Sequence, residues 1–512
     1  MNILPQTPVL VGAGLFTNRE DDPAGAPSPL GLMERAARAA AQDSGAGRKL
    51  LTQLDTIAVI RLFADSSSFF ACPFGVPENP PASLAKRLGA APDLLIYPQT
   101  GGSTPQWMIN ELAEAIADGE VDCALIAGGE AQRTQSRAQR MGLELDWRDP
   151  CDTRPDEPGD PRVGFTPHEL AHGLAPPTTV YPLFETALMH RYGHTPEQHL
   201  RHMGKLFAPM TEVAARNAFA ALPVARSAEN LIDSSDENRF ISYPYTKYLN
   251  SNLNVDMASA VILTSIGKAR GLGIREDRWV FLHGSADTTE KWFLSERVAY
   301  DSAPALGIGA RQALEMAGLT IDEIGHFDLY SCFPSAVEIA CDEIGLAHDD
   351  PRGVTVTGGL PYFGGPGNAY GVLAAAQMMQ TLRANPGSYG LVTGNSWYLS
   401  RHSFGVYSTT PPRAPWRRPD SAGCQREIDR RESPPFTETP NGAGRIETYT
   451  VVFDRSGPAV GIVIGRLDEG DARFFARISE PDALAKLMAQ DCVGRPIMVS
   501  SGQGNTAKLM AY

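Results

Sequence analysis

Short apolar runs that stop at glycine alternate along this chain with segments whose apolar residues recur every three or four positions, the pattern of strands followed by amphipathic helices. PVLVGAG (8–14) reads as a strand ending in a glycine turn, GLMERAARAAAQDSG as a helix, and LDTIAVIRLF (54–63) as a second strand. A Ser-, Pro- and Gly-rich loop over 64–90 is followed by a short helix in PASLAKRLGA. Then comes an informative unit: DLLIYPQ as a strand, TGGSTP as a turn, QWMINELAEAIADGE as a helix, and VDCALIAGGEA as a strand so small and apolar that both faces should be buried.

From 131 to 180 the chain is polar and interrupted by proline, which predicts loop rather than core. Helical patterns return over 181–221, and an irregular polar segment (226–254) leads into the strand VDMASAVILTS. RWVFLHGSAD repeats the strand signal between helical SIGKARGLG and SAPALGIGARQALEMAGL, and FDLYSCF is a strand ending in a polar turn before the helix PSAVEIACDEIGL. A second unit then repeats the order of the first: GVTVTGG, the turn GGLPYFGGPGNAYG, the helix NAYGVLAAAQMMQTLRAN and the strand SYGLVTGNSW. This match predicts two similar α/β halves whose helix starts face one another; periodicity alone leaves coincidence open, as any α/β chain offers such likenesses. Proline-rich 411–440 is expected to be a linker or wrapping segment. Beyond it RIETYTVVFD, PAVGIVIGRLD, ARFFARIS and PIMVSS, with a helix in EPDALAKLMAQD, predict a small β-barrel of about five strands. The expected division is an amino-terminal half with an inserted loop region (1–270), a carboxy-terminal half (271–410), the linker (411–440) and the barrel (441–512).

With 512 residues the chain has room for about two to four such units. Its formal charge of -14 argues against a general grip on nucleic acid, though local basic patches remain able to meet an anionic ligand. Seven cysteines, none in a CxxC pair, fit a reducing compartment and no cysteine-built zinc site, and no metal is expected. Cys123, inside an apolar strand, reads as a small buried residue. MNILPQTPVLVGAG lacks the features of a secretory leader and no apolar run has the length of a membrane span, so the expected location is cytoplasmic.

The first turn has no Cys, His, Asp or Glu. It offers Thr100, Ser103, Thr104 and the N–H groups of Gly101 and Gly102, which at a helix start can hold an anion or a developing oxyanion, or simply allow a tight turn. FDLYSCFPS adds Tyr330, Ser331 and Cys332; a helix start can lower a thiol pKa, while a packing role explains Cys332 equally well. Pro361, Tyr362, Gly364, Gly365 and Gly367 make a surface that permits close approach, with Asn368 placed to cap a helix or to donate to a ligand. GNSWYLSRHS contributes Asn395, Ser396 and His402. HExxH, GxSxG and P-loop motifs are absent.

VLVGAG, VDCALIAGGEA, YGHTPEQ, NVDMASAVILTS, GGLPYFGGPGNAYG and YGLVTGN fall in an order that resembles the thiolase superfamily, nearest to sterol-carrier-protein type thiolases and to thiolase-like type 1 proteins with an additional carboxy-terminal domain. The resemblance covers roughly 6–410 as thiolase fold, two duplicated α/β halves layered αβαβα, and the remainder as an OB-like barrel. It implies acyl-CoA chemistry of the acetyl-CoA acetyltransferase kind, in lipid metabolism, with a coenzyme A thioester as substrate or ligand and no tightly bound cofactor. All four catalytic positions of the family depart from its pattern. The acyl-accepting cysteine falls at Gln99 or Thr100; NEAF or HDCF becomes YSCF, placing Tyr330 at the Asn or His and Ser331 at the acidic residue. GHP becomes Gly364-Gly365-Pro366, and the second cysteine becomes Asn395. The catalytic candidates are therefore Tyr330, Cys332, Asn395, Thr100 and His402, and the ligand-binding candidates Gly101, Gly102, Ser103, Ser331, Tyr362, Gly364, Gly365 and Asn368. Three readings stay open: altered acyl transfer, cysteine-independent retro-aldol or retro-Claisen cleavage through Tyr330 with Tyr362 or Tyr245, as in related steroid side-chain aldolases, or a non-catalytic CoA-ester or lipid-binding module. The family implies a homodimer, and the extra domain, which could cover the dimer surface, makes a monomer a close second alternative; no nucleic-acid or membrane partner is expected.

Overall fold

Every residue of Cys123–Ala131 and Asp256–Ser265 is buried, as small apolar runs must be when helices cover both faces of their sheet. The computed structural model describes residues 4–502 and 504–510; the first three residues of the amino-terminal stretch and the last two of the barrel unit lie outside them. The first four strands are β1 (Pro8–Thr17), β2 (Thr56–Val59), β3 (Leu94–Ile96) and β4 (Cys123–Ala131). An insertion then contributes β5 (Phe240–Tyr243) and β6 (Tyr245–Thr246) before β7 (Asp256–Ser265) returns to complete a sheet of order β1-β7-β4-β2-β3. In it β7 is antiparallel to both β1 and β4, while β4, β2 and β3 are parallel. Strands β8 (Phe281–Thr289), β9 (Ile324–Asp328), β10 (Tyr389–Ser396) and β11 (Arg401–Ser408) repeat the arrangement as β8-β11-β10-β9. Here β11 is antiparallel to both neighbours, and β10 and β9 are parallel. The two halves share strand order and sense over four strands, and the first half carries β3 in addition.

Helices Thr104–Asp118 and Tyr370–Ala384 each touch strands of both sheets, and helices Pro29–Asp43 and Pro304–Ala317 cover the outer faces. The central pair start together: a Cβ on Gly371 would come within 2.9 Å of the Pro105 side chain. GVTVTGG is not a strand. The buried Asp328 carboxylate accepts the N–H groups of Val356 and Thr357 and the hydroxyls of Thr355, Thr357 and Tyr370, so a side-chain cage replaces the ladder.

Strands β12 (Gly442–Asp454), β13 (Gly457–Leu467), β14 (Arg473–Ile478), β15 (Pro496–Ser500) and β16 (Thr506–Leu509) close into a five-stranded barrel in the order β12-β13-β14-β16-β15 and back to β12. Helix Pro481–Ala489 falls between β14 and β15. The barrel is stitched to the body. β5, from the polar segment read as irregular, pairs with β12 through Tyr243↔Val451 and Ser242↔Val452. Thr186 Oγ1 donates to Tyr449 O at 2.7 Å, and the fully buried Arg473 donates to Ser295 O and Arg297 O. The linker is more ordered than its prolines suggest: helix Ala422–Asp429 places Ile428 against Ala305 and Ile308.

Candidate functional site

The glycines of the first turn are required because other groups hold the space a side chain would need. A Cβ on Gly102 would fall 2.2 Å from Tyr330 Oη and 2.5 Å from Asn395 O, and one on Gly101 would fall 2.3 Å from Ser396 Oγ and 2.5 Å from Arg401 Nη2. The turn after β3, the loop after β9 and the end of β10 therefore meet at one place. Arg401 Nη2 donates to Thr100 O at 2.7 Å, and Ser396 Oγ accepts the Ser103 N–H at 2.9 Å while pairing with Ser103 Oγ at 2.6 Å. The N–H groups of Gly101 and Gly102 make no hydrogen bond among the described residues. They lie at the start of a 15-residue helix, where the field favours negative charge.

Opposite stand the residues of the YSCF loop. Tyr330 N–H donates to Thr393 Oγ1 at 2.9 Å, and the half-buried ring meets Tyr370 edge-on. Its hydroxyl has no hydrogen bond among the described residues. Asn395 Nδ2 donates to Tyr181 Oη at 2.9 Å and lies 3.8 Å from Cys332 Sγ, and Tyr181 in turn donates to Trp397 O at 2.7 Å. Asn395 Oδ1 is buried with no partner within the chain.

Burial decides the protonation states. Desolvation pushes the Cys332 thiol up to about 12 despite hydrogen bonds to Tyr181 and the Phe333 N–H, so near neutrality it is a thiol and not a nucleophilic thiolate. Desolvation, with Cys332 beside it, also raises the Tyr330 phenol, which makes this side chain a proton donor in a hydrogen bond rather than a base. His402 is pushed down to about 3 by burial and by Arg297, and its Nε2 lies 3.1 Å from Leu399 O, so it is a neutral core histidine. Thr100 contributes its carbonyl to Arg401, and Ser103 is paired with another serine rather than with a base.

The remaining expected residues divide. Ser331 Oγ accepts the Leu360 N–H, away from the cradle, and Gly364 packs against Met257. Asn368 sends Nδ2 to Arg61 O and Ser66 Oγ, each at 2.9 Å; the cap of the following helix is Ala369, so Asn368 neither caps it nor reaches the cradle. Tyr362 is buried against Phe207 with an unpartnered hydroxyl. Tyr245 is not beside Tyr330: it stacks behind Phe333 and donates to Glu185.

Gly365 marks a feature the sequence reading missed. Its N–H donates to Asn252 O at 2.9 Å, and a Cβ there would be 2.4 Å from Ser251 Oγ. Ser251 and Asn252 line a cleft of about 780 Å³ that also presents Arg19, Arg226, Lys247 and Tyr248. Arg19 donates to the carbonyls of Ala218 and Ala220, Arg226 to Val224 O and Lys247 to Glu237 O; among the described residues none of the three pairs with a carboxylate. The Ser251 N–H donates to Cys332 O at 3.0 Å, which joins the cleft to the back of the cradle. These cations are far apart in sequence, so no local motif announces them.

Two like halves meeting at paired helix starts, with a closed barrel fused behind them, define a thiolase-like protein. A family described as "Thiolase-like protein type 1 additional C-terminal domain" matches residues 423–503. The crystal structure of a monomeric SCP2-thiolase like protein type 1 from Mycobacterium smegmatis superposes with a TM-score of 0.85, at 36% identity over 99% of this chain and 100% of that one. The chain belongs to the SCP2-thiolase like protein type 1 family. Two more distant structures share the fold: an Ltp2-ChsH2(DUF35) aldolase (19% identity, TM-score 0.56, 79% of this chain and 98% of that one) and an acetyl-CoA acetyltransferase from Syntrophomonas wolfei (14%, 0.55, 79% and 99%). An acetyl-CoA acetyltransferase of Methanothermobacter thermautotrophicus is 26% identical over 234 residues, a match spanning 43% of this chain and 58% of that relative. No helix among the described residues is long and apolar enough to cross a membrane.

Proposed function

We propose that the protein binds acyl-coenzyme A thioesters and polarises their carbonyl oxygen with the Tyr330 hydroxyl and the N–H groups of Gly101 and Gly102, without forming an acyl-enzyme. The observation that carries this reading is the unbonded Tyr330 hydroxyl standing over the Gly102 turn. Arg19, Arg226 and Lys247 in the adjoining cleft suit the phosphates of coenzyme A. A neutral, buried Cys332 and a serine pair without a base leave no activated nucleophile, so the covalent route of the acetyltransferase relatives is not carried over. A neutral donor contributes about 0.5–1.5 kcal/mol to ligand binding and roughly 3 kcal/mol where negative charge develops on the oxygen. A second reading, carbon–carbon cleavage of the aldolase kind, is supported by the same unbonded phenol, which as a neutral donor would hydrogen-bond a departing enolate oxygen. We propose that the chain acts as a monomer, as its M. smegmatis relative is described, with the barrel in an intramolecular role.

Calorimetric titration with coenzyme A, acetyl-CoA and longer acyl-CoA esters tests the proposal. Binding is expected for the esters, weakened about two- to tenfold in Tyr330→Phe and also weakened in Arg226→Ala, with no acylated protein by mass spectrometry. Absence of binding by every ester up to millimolar concentration overturns it. Product release from 3-hydroxyacyl-CoA that disappears in Tyr330→Phe selects the second reading.

A further inference from the structure

Behind the Tyr330 loop three helices bring together charged groups that the acyl-CoA reading does not use. Glu185 lies on helix Pro177–Arg191, His199 and His202 on helix Pro196–Arg216, and Glu338 on helix Pro334–Ile344, the helix that follows Cys332. Ligand atoms of Glu185, His199 and Glu338 all lie within 4.8 Å of one another, and all three side chains are essentially sealed from solvent. His199 Nε2 is 2.5 Å from Glu185 Oε1, and His202 Nε2 is 3.7 Å from Glu338 Oε1. Both oxygens of Glu338 are fully buried, and neither accepts a hydrogen bond of ordinary length; their neighbours are His202 at 3.7 Å and the Glu185 carboxylate.

Two carboxylates facing each other in a dry interior repel unless a cation or a shared proton lies between them. The surroundings favour a cation. Tyr245 Oη donates to the other Glu185 oxygen at 2.5 Å, and His194 Nδ1 meets His199 Nδ1 at 3.2 Å, so groups outside the trio orient two of its members, as supporting groups around metal ligands do. The half-buried His194, His202 and His348 lie between the trio and the surface, with His202 Nε2 2.9 Å from His348 Nδ1 and His348 Nε2 3.0 Å from Asp342; they offer a stepwise path inward. Two carboxylate oxygens and an imidazole, with a second imidazole in reach, are the donor set of zinc, manganese or iron(II) rather than of soft or purely oxygen-bound ions.

We infer that Glu185, His199 and Glu338 form a site for one divalent first-row transition-metal ion such as Zn²⁺, with His202 as the nearest further donor. The ion ties the helix behind Tyr330 and Cys332 to the two helices of the insertion, and it neutralises the paired carboxylates. Glu338 is one turn beyond Ser335, whose Oγ meets Tyr245 Oη at 2.8 Å, so a metal here stiffens the back wall of the cradle without touching the ligand. The inference stands independently of acyl-CoA binding.

The test is a titration of EDTA-treated, dialysed full-length protein with Zn²⁺, and with Co²⁺ as the spectroscopic probe, read by bound metal per chain and by thermal unfolding. One equivalent is expected, with ligand-field bands for Co²⁺ and a raised unfolding temperature. His199→Ala and Glu338→Gln are each expected to bind at least tenfold more weakly. Gln is isosteric, carries no charge and offers an N–H to the Glu185 carboxylate, so Glu338→Gln stays folded even if His199→Ala does not. Failure of the wild-type protein to bind metal, with Glu338→Gln equally stable, identifies a proton-sharing pair and overturns the inference. Binding that survives Glu338→Gln unchanged places the metal on surface histidines and overturns it as well.

Discussion

Gly102→Ala asks for space that two groups already hold. The new methyl lands 2.2 Å from Tyr330 Oη, 2.6 Å from its Cζ and 2.5 Å from Asn395 O, where ordinary contact begins at 3.4 Å. The phenol can swing aside because its hydroxyl is unbonded and its ring is half-buried. The carbonyl cannot do so cheaply: Asn395 is paired with His402 in the β10–β11 ladder, and relief requires the turn or the strand to give by about 0.9 Å, the difference between 3.4 and 2.5 Å. Overpacking of this kind costs about 1–3 kcal/mol. Gly25→Ala, where a Cβ meets nothing within 4 Å, is the matched control. The two variants are compared by urea midpoint and by acyl-CoA titration, in which the methyl at Gly102, displacing the Tyr330 hydroxyl that the proposed site uses, is expected to weaken binding at least tenfold, or about 1.4 kcal/mol. Adding Tyr330→Phe removes the shortest contact but leaves the one with Asn395 O, so the double variant should recover part of the stability, with a coupling of roughly 0.5–1.5 kcal/mol. A Gly102→Ala protein that unfolds with the control and binds acyl-CoA like wild type refutes both the packing account and the location of the ligand.

Glu130 is buried, and desolvation raises its carboxyl from 4.5 to about 7 against hydrogen bonds from the Phe63 N–H and Gln132. Between those values the folded state binds more protons than the unfolded chain, so stability falls as pH rises, by about 3 kcal/mol once both states are ionised. Glu130→Gln should flatten that loss in urea titrations at pH 5 and pH 8, and an unchanged slope would contradict the assignment. Cys332, pushed up to about 12, should resist iodoacetamide at pH 8 while the partly exposed Cys151 reacts; equal rates by peptide mass spectrometry would show that the thiol is activated. Arg473→Met removes a fully buried guanidinium held by Glu447 and by the carbonyls of Ser295 and Arg297. It should cost about 3 kcal/mol, the lower end for a broken buried pair because Glu447 keeps some solvent contact, and an unchanged denaturant midpoint would show that the barrel is only loosely docked.

The elements legible in the sequence are those whose cause is local. The all-buried β4 and β7 are continuous small apolar runs, and the turn before Thr104 is marked by adjacent glycines and a proline within the helix's first turn. GVTVTGG has the composition of a strand, yet its N–H groups go to Asp328, a choice that only tertiary placement makes. β16 is four residues long, too short for alternation to register, and β5 is stabilised by a partner strand that lies some two hundred residues away, about Val451. His402 seemed available because a sequence does not report dryness, and Tyr181, Arg401 and the cations of the cleft come to the cradle from separate elements without any spacing rule.

The same distinction explains why the glycine turn is built although it holds no Cys, His, Asp or Glu. A nucleophile there would serve chemistry alone. Gly101 and Gly102 are held by packing as well: the space beside them is occupied by Tyr330, Asn395, Ser396 and Arg401, so any side chain would break the junction between the halves. The turn is required without a nucleophile because it is also the seam along which the two halves are closed. What remains without a partner along that seam, among the described residues, is the N–H groups of Gly101 and Gly102 and the hydroxyl of Tyr330 beside Gly102, hydrogen-bond donors and not a nucleophile.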